Sequence, residues 1–398
     1  MPCPRDPLPL DESFVAKPHA SYAALRRTGP VHRAVSPDGD PLLLVTNYQE
    51  VRAAAMDRRM SVSKQHARTV AGHVNSLPAE LDAHLLNSAP RAHARLRRLV
   101  STAFTPRRAE GLRDAVQKST DQLLDTIACH DRADVVADLA LPLSMSVICD
   151  LMGIPADNRP DFRRWTDTLL NAAPGGPPRS REAMREMHRY LTELIDSKRG
   201  APADDDLLSA LIAARDEGDR LSESELVAMA FLLLFGGYDN VASLMASTVL
   251  ALLTHPDQLA AVRGGELTMD AVTEETLRWN SPAMLAVRRF ATEDIRMGGT
   301  HVPAGERVWL SWASANRDSE RFANPDTFDP CREDTAHLAF GHGSHYCPGA
   351  ALARMENNIA VTSLIQRFPD LSLAGPAEEP RWTNSLRSRR LRELPVTL

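Results

Sequence analysis

The sequence predicts a mainly α fold with small β-sheets at its edges, and three observations carry that reading. Apolar residues recur three and four apart from His93 to about Ala260, in LRRLVSTAF, VVADLALPLSMSVICDLMGI and ELVAMAFLLLFGG. Shorter alternating runs with glycine turns stand on either side of that stretch. A hydrophobic content of 43% with 25% charged residues fits a packed globular protein, and the 398 residues are read as a single domain, 1–398.

In chain order, PLLLVTNYQEV (Pro41 to Val51) reads as a short buried strand that turns into a helix. NAAPGGPPRS at 171–180 and RGAPADDD at 199–206 read as loops between helices, because proline and charge break the helical repeat. Leu226 to Leu252 is apolar nearly all round, so it belongs in a core. Phe235-Gly236-Gly237-Tyr238-Asp239-Asn240 interrupts it, and paired glycines there predict a kink or widened turn. After Arg278, VRRFATEDIRMGGTHVPAGERVWLSW alternates and carries Gly-Gly and Pro-Ala-Gly turns, the pattern of hairpins.

A net charge of -6 argues against nucleic acid or anionic membrane bound over the whole surface, since both demand a cationic excess. No stretch reaches the 18 or so apolar residues of a membrane span, and the first residues lack a signal-peptide pattern, so the expected compartment is the cytoplasm. Cys3, Cys129, Cys149, Cys331 and Cys347 are scattered and without CxxC spacing, which indicates neither a disulfide framework nor a zinc site.

Cys347 stands apart. The run Phe340-Gly-His-Gly-Ser-His-Tyr-Cys347-Pro-Gly349 is a glycine-rich loop leading into a helix-forming stretch, which puts a sulfur at a helix N-terminus where backbone N–H groups favour the thiolate. Gly341, Gly343 and Gly349 let the backbone come close to a flat cofactor. The pattern F-x-x-G-x-H-x-C-x-G, intact at Phe340, Gly343, His345, Cys347 and Gly349, resembles the haem-binding loop of the cytochrome P-450 superfamily.

That resemblance implies haem b buried between a long "I" helix and the Cys-loop with its following helix, with the Cys347 thiolate as axial iron ligand and Phe340, Gly341, His345 and Gly349 around it. His93 and Arg97 lie four apart, so one helix face offers two donors to propionate carboxylates, the other reading being a basic exposed helix. Arg289 matches the family's propionate-binding strand arginine. Glu275-x-x-Arg278 with Arg332 is similar to the family's structural Glu-Arg-Arg network, and Arg95, Arg98 and Arg354 fit a surface for an acidic ferredoxin. The implied partners are dioxygen, a small-molecule substrate and a separate ferredoxin and ferredoxin reductase, with the protein a monomer.

The family's oxygen-side helix usually carries [AG]-G-x-[DE]-T, whose acid and hydroxyl help deliver protons. Here Gly236, Gly237, Tyr238, Asp239 and Asn240 stand in that register, so an amide replaces the hydroxyl. An amide both donates and accepts and can hold a relay water. The departure favours oxidative coupling or cyclisation of an aromatic or indole-containing substrate such as a cyclic dipeptide. Hydroxylation or epoxidation of a polyketide or terpene is the alternative, and a non-catalytic haem scaffold that recruits a partner is the third. By the same resemblance the substrate roof comes from the loop Ser61 to Leu86, from Leu232, Phe235, Gly236 and Asn240, from Leu285, Ala286 and Val287, and from Ser385 and Leu386. Gln65, His66 and Asn87 add polar groups to that mostly apolar lining.

Overall fold

Strand-forming residues from distant parts of the chain meet in one six-stranded sheet, in the order Leu8–Pro9, Val31–Val35, Pro41–Val45, Arg307–Leu310, Arg289–Ala291, Met60–Ser61. The computed structural model describes residues 7–37, 39–68, 81, 84–88, 90–170, 178–199, 206–213, 215–216, 219–375 and 380–398. Pro41–Val45 pairs antiparallel with Val31–Val35 and parallel with Arg307–Leu310, Leu44 opposite Trp309. Side chains alternate across a strand, and the two faces are both buried. Leu42, Leu44 and Trp309 enter a cluster with Phe14 and Tyr22, while Leu43, Val45, Val308 and Leu310 enter another with Tyr48, Val51 and Phe322. This is why PLLLV is an unbroken apolar run rather than an alternating one.

The strand-to-helix reading of Pro41 to Val51 holds, with the helix at Tyr48–Met56. The hairpin reading holds as well. Ile295–Met297 pairs antiparallel with Thr300–Val302 through Gly298 and Gly299, whose φ values of 50° and 80° are those a tight two-residue turn demands. A three-stranded sheet joins Ser372–Leu373, Pro395–Thr397 and Arg132–Asp134.

The chain divides into two compact units, one of residues 1–68, 116–143 and 239–398, the other of 69–115 and 144–238. The first holds the sheets just described and the helices Met269–Trp279 and Ala350–Arg367. The second is helical, with Pro90–Ala103, Arg159–Leu170 and Pro178–Arg199 as its long elements, and a short hairpin of Arg215–Asp216 with Asp219–Arg220.

Four sequence expectations need correction or refinement. The stretch from His93 to Ala260 is not helical throughout: it contains the strand Arg132–Asp134, a π-helical turn at Val135–Ala140 and the 215–220 hairpin. The Glu223–Thr254 helix runs through Gly236 and Gly237 without a break. Gly237 serves close packing instead, since a Cβ there would stand 2.9 Å from Ile148 Cδ1. Two helical stretches, Val135–Met152 and Glu223–Thr254, have no uninterrupted run of 18 apolar residues yet are long and apolar enough on average to cross a membrane, which a count of unbroken runs does not register. Two thirds of each such window is buried within the protein, as in core helices. Finally, 178–180 and Arg199, read as loop, belong to the Pro178–Arg199 helix, while Asp206 stands just before the Leu207–Ala213 helix and 171–177 and 200–205 lie outside the described residues.

Candidate functional site

The Cys347 segment closes on itself. Cys347 N–H donates to the Phe340 carbonyl at 2.9 Å, and Gly341 N–H to the Leu338 carbonyl at 2.9 Å. Gly341 and Gly343 have φ values of 79° and 72°, the left-handed region that side chains resist, and a Cβ on Gly343 would press on Met56 Cγ at 3.3 Å. Gly343 to His345 forms one 3₁₀ turn, and the Ala350–Arg367 helix starts directly after Gly349. Gly349 itself has φ −83°, open to any residue. Phe340 anchors the loop by packing on Leu244, Leu277 and Ala339, with the Arg354 guanidinium 4.6 Å from its ring centre. Cys347 is half-buried. Cys149, by contrast, is fully buried and its thiol is pushed up to about 12 by desolvation, so it is inert.

Arg289 lies on the Arg289–Ala291 strand of the same unit and is 4% exposed. Desolvation lowers its pKa to about 10. Its Nε is buried with no hydrogen-bond partner, and its one contact is a long bond, 3.4 Å, from Nη1 to the Met60 carbonyl. No carboxylate among the described residues pairs with it. A buried cation without an anion is costly, and a cofactor carboxylate supplies what is missing, so Arg289 fits haem. Among the described residues no group of three His, Cys, Asp or Glu side chains could hold a metal. In the helical unit, His93 is buried on the Pro90–Ala103 helix and Arg97 is half-buried four residues on.

The Glu275, Arg278 and Arg332 side chains meet as the sequence suggested. Arg278 forks onto Glu275 with two bonds of 2.7 Å, and donates to the carbonyls of Asn316, Pro325 and Thr327 at 2.9, 2.8 and 3.1 Å. Glu275 also accepts from Asp329 N–H at 2.8 Å, and Arg332 Nε stands 3.5 Å from it. Glu275 and Arg278 are each 1% exposed. The network ties the Met269–Trp279 helix to the segment 316–332 that leads into the Cys347 loop.

Asp239 is buried on the Glu223–Thr254 helix, with half-buried Asn240 beside it. Sequence reasoning missed its partners, Ser388 and Arg390. Both carboxylate oxygens are taken, Oδ2 by the Ser388 hydroxyl and Oδ1 by Arg390 Nε at 2.6 Å. The substrate-side residues divide. Leu285 and Leu386 pack into the core cluster with Phe14, Tyr22 and Trp309. Ala286, Val287 and Ser385 are half-buried, and Gln65 is exposed in a 3₁₀ turn. In the helical unit, Leu86, Leu232 and Phe235 are half-buried, Phe235 stacks on Phe231 at 5.6 Å, and, apart from the adjacent residues and backbone of its own helix, none of the described residues comes within 4 Å of where a Cβ on Gly236 would stand.

Of the three surface arginines, Arg95 is engaged by Glu225 at 2.7 Å and Arg354 by Glu274 at 2.5 Å, while Arg98 is exposed. A cavity of about 350 Å³ between the Tyr48–Met56 helix and the segment 336–342 is lined by Tyr48, Gln49, Arg52, Arg321, His337 and His342. Burial and the nearby Arg52 lower the His342 pKa. Met56 and Tyr346 are the exposed large hydrophobic residues of the described chain, and Met56 touches the loop at Gly343.

Comparison with known proteins agrees with this geometry. The family model described as Cytochrome P450 matches residues 177–264 and 267–383. Cytochrome P450 107B1 of Saccharopolyspora erythraea is 44% identical over 98% of this chain and 97% of its own length. The 6-deoxyerythronolide B hydroxylase of the same organism is 37% identical over 97% of each chain. The solved structure of the tirandamycin C-bound P450 monooxygenase TamI superposes with a TM-score of 0.90 at 41% identity, covering 98% of this chain and 100% of that one.

Proposed function

Because this chain belongs to the cytochrome P-450 family, whose cofactor is haem and whose reaction is monooxygenation, we propose that it hydroxylates or epoxidises a polyketide-type compound of secondary metabolism. The observation that carries the assignment of roles is the Cys347 loop, closed by the Cys347 to Phe340 hydrogen bond and set at the start of the Ala350–Arg367 helix.

Within the first unit haem would be held through its iron by the Cys347 thiolate and through a propionate by Arg289; the family resemblance adds His93 and Arg97 as propionate donors, and when bound haem supplies the activation of dioxygen. The chain's own contribution is position. Gly341 and Gly343 would let backbone approach the cofactor without a side chain in the way. Asp239 would serve as the acid of the proton path, with Asn240 next to it. Glu275, Arg278 and Arg332 brace the segment behind the sulfur. In the first unit Ala286 and Val287 are the apolar candidates for substrate contact and Ser385 and Gln65 the polar ones; in the helical unit the candidates are Leu232, Phe235 and Gly236.

The hydroxylase name of one relative and the ligand of the TamI structure support an oxygenated polyketide-type substrate. Coupling of an indole cyclic dipeptide rests on Asn240 alone and has less support. Electrons would come from a separate iron–sulfur donor. Arg52 and the exposed apolar residues Met56 and Tyr346 suit its acidic face better than Arg95 and Arg354, which are already paired. We place the protein in the cytoplasm as a monomer.

Two measurements test this. Under carbon monoxide after dithionite reduction, the purified protein gives the thiolate-type spectrum and Cys347→Ala does not; an unchanged spectrum in the variant would end the assignment of the ligand. In a spectral binding screen, 6-deoxyerythronolide B or tirandamycin C shifts the haem band. Binding of an indole diketopiperazine in place of both would return the coupling reading to first place.

A further inference from the structure

Position 240 lacks a hydroxyl, yet the neighbouring acid has one. Ser388 Oγ donates to Asp239 Oδ2 while Arg390 Nε donates to Oδ1 at 2.6 Å, and the Arg390 and Asp239 side chains are 11% and 8% exposed. The segment that presents them is well fixed. Ser388 bridges Ala283, Met284 N–H donates to the Arg387 carbonyl at 2.9 Å, and Ser388 N–H donates to Ser385 Oγ at 3.1 Å. Arg389, between them, donates to Asn280 at 3.1 Å and lies 4.0 Å over the Trp382 ring. An arginine alone would satisfy the charge of a buried carboxylate. The hydroxyl adds something different, a group able to accept a proton and give one at the same time.

We propose that Ser388 and Arg390 are positioning residues for Asp239, and that the Ser388 hydroxyl takes the place in the proton path of the hydroxyl absent at Asn240. This rests on the reading of Asp239 as the relay acid. Arg390 occupies Oδ1, so Oδ2 is the oxygen that exchanges protons. A hydronium ion in solvent gives a proton to a lone pair of Ser388 Oγ and leaves as water, while the original Oγ–H bond breaks and its proton bonds to Oδ2. Asp239 is then neutral and Ser388 again a hydroxyl; Asp239 returns to the carboxylate when Oδ2 gives that proton to the next acceptor on the path, and the transfer can repeat.

The experiment uses the haem-loaded full chain, a surrogate ferredoxin and reductase pair, and no substrate. NADPH consumed, dioxygen consumed and hydrogen peroxide released are measured in H₂O and D₂O. Ser388→Ala lowers water formation relative to peroxide by about 10-fold, the scale of one lost hydrogen bond to a charged group. Ser388→Thr retains the native ratio, and Asn240→Thr restores it in the Ser388→Ala background. Arg390→Met lowers it and Arg390→Lys partly recovers it. Independently of turnover, a double-mutant cycle of Asp239→Asn and Ser388→Ala in urea unfolding couples by about fivefold or more. If Asp239→Asn raises peroxide and Ser388→Ala changes neither the ratio nor the isotope effect, Ser388 is only a structural contact and the proposal is overturned. If Asp239→Asn itself changes nothing, the reading of Asp239 fails first.

Discussion

Replacing Arg278 with leucine removes five hydrogen bonds at a site that water does not reach. Glu275, 1% exposed, keeps only the Asp329 N–H and the more distant Arg332, so a nearly uncompensated carboxylate stays buried. Breaking a buried pair from one side costs about 3–5 kcal/mol. The stranded carbonyls of Asn316 and Pro325 add about 1 kcal/mol or more. With an unfolding entropy of about 2.1 cal/mol/K per residue, 398 residues give about 0.8 kcal/mol/K, so a loss of about 5 kcal/mol lowers Tm by roughly 6 °C. Differential scanning calorimetry of the haem-loaded protein reads this directly. Arg278→Lys, which keeps the charge but not the fork, falls between the two. A Tm within about 1 °C of the parent for Arg278→Leu, with its single transition intact, would refute the argument.

Glu274 provides a pH-dependent test. Burial would raise its carboxyl, but hydrogen bonds and charge from His337 and Arg354 outweigh this and hold it at about 2, below its ordinary 4.5. A carboxyl depressed in the folded state adds stability above its unfolded value, lost as pH falls towards the folded one. The stability difference between parent and Glu274→Gln should therefore shrink between about pH 4.5 and 2 in urea titrations; a constant difference across that window contradicts it. Arg289→Leu removes a buried cation with no carboxylate partner among the described residues, so haem is lost faster to apomyoglobin while the apoprotein unfolds at the same or higher urea concentration; a destabilised apoprotein with unaltered haem transfer would sink the propionate role. Gly298→Ala places a Cβ 2.3 Å from the rigid Pro30 ring at φ 50° and should cost about 3 kcal/mol in urea unfolding, with a cost under 0.5 refuting it.

Features whose partners lie close in the chain were legible from residues alone. The Cys347 loop closes within eight residues, and the Gly298-Gly299 turn joins adjacent strands, so spacing and glycine position were sufficient. The Glu275 to Arg278 pair sits within one helical turn. Long-range pairings were not legible. Nothing in SLRSRRLREL marks Ser388 and Arg390 as the partners of an acid 149 and 151 residues earlier. Arg95 and Arg354 looked free for a partner protein because the carboxylates that bind them lie 130 and 80 positions away. The Gly236-Gly237 pair was misread because a glycine that permits a bend and one that admits a neighbouring side chain look alike in one sequence. Leu285 and Leu386, which the family resemblance gives to the substrate roof, join a core cluster with Phe14, Tyr22 and Trp309, a packing that no local pattern in the sequence announces.

The distance between Asp239 and its two partners also orders events during synthesis. At a translation rate of about 5–20 residues per second, a delay of roughly 7–30 s separates the emergence of Asp239 from that of Ser388, 149 positions later. Until the last segment is made, the nascent helix must keep that carboxylate in contact with water or a chaperone. Codon usage upstream of position 388 would thus influence how much of the newly made protein reaches its native state.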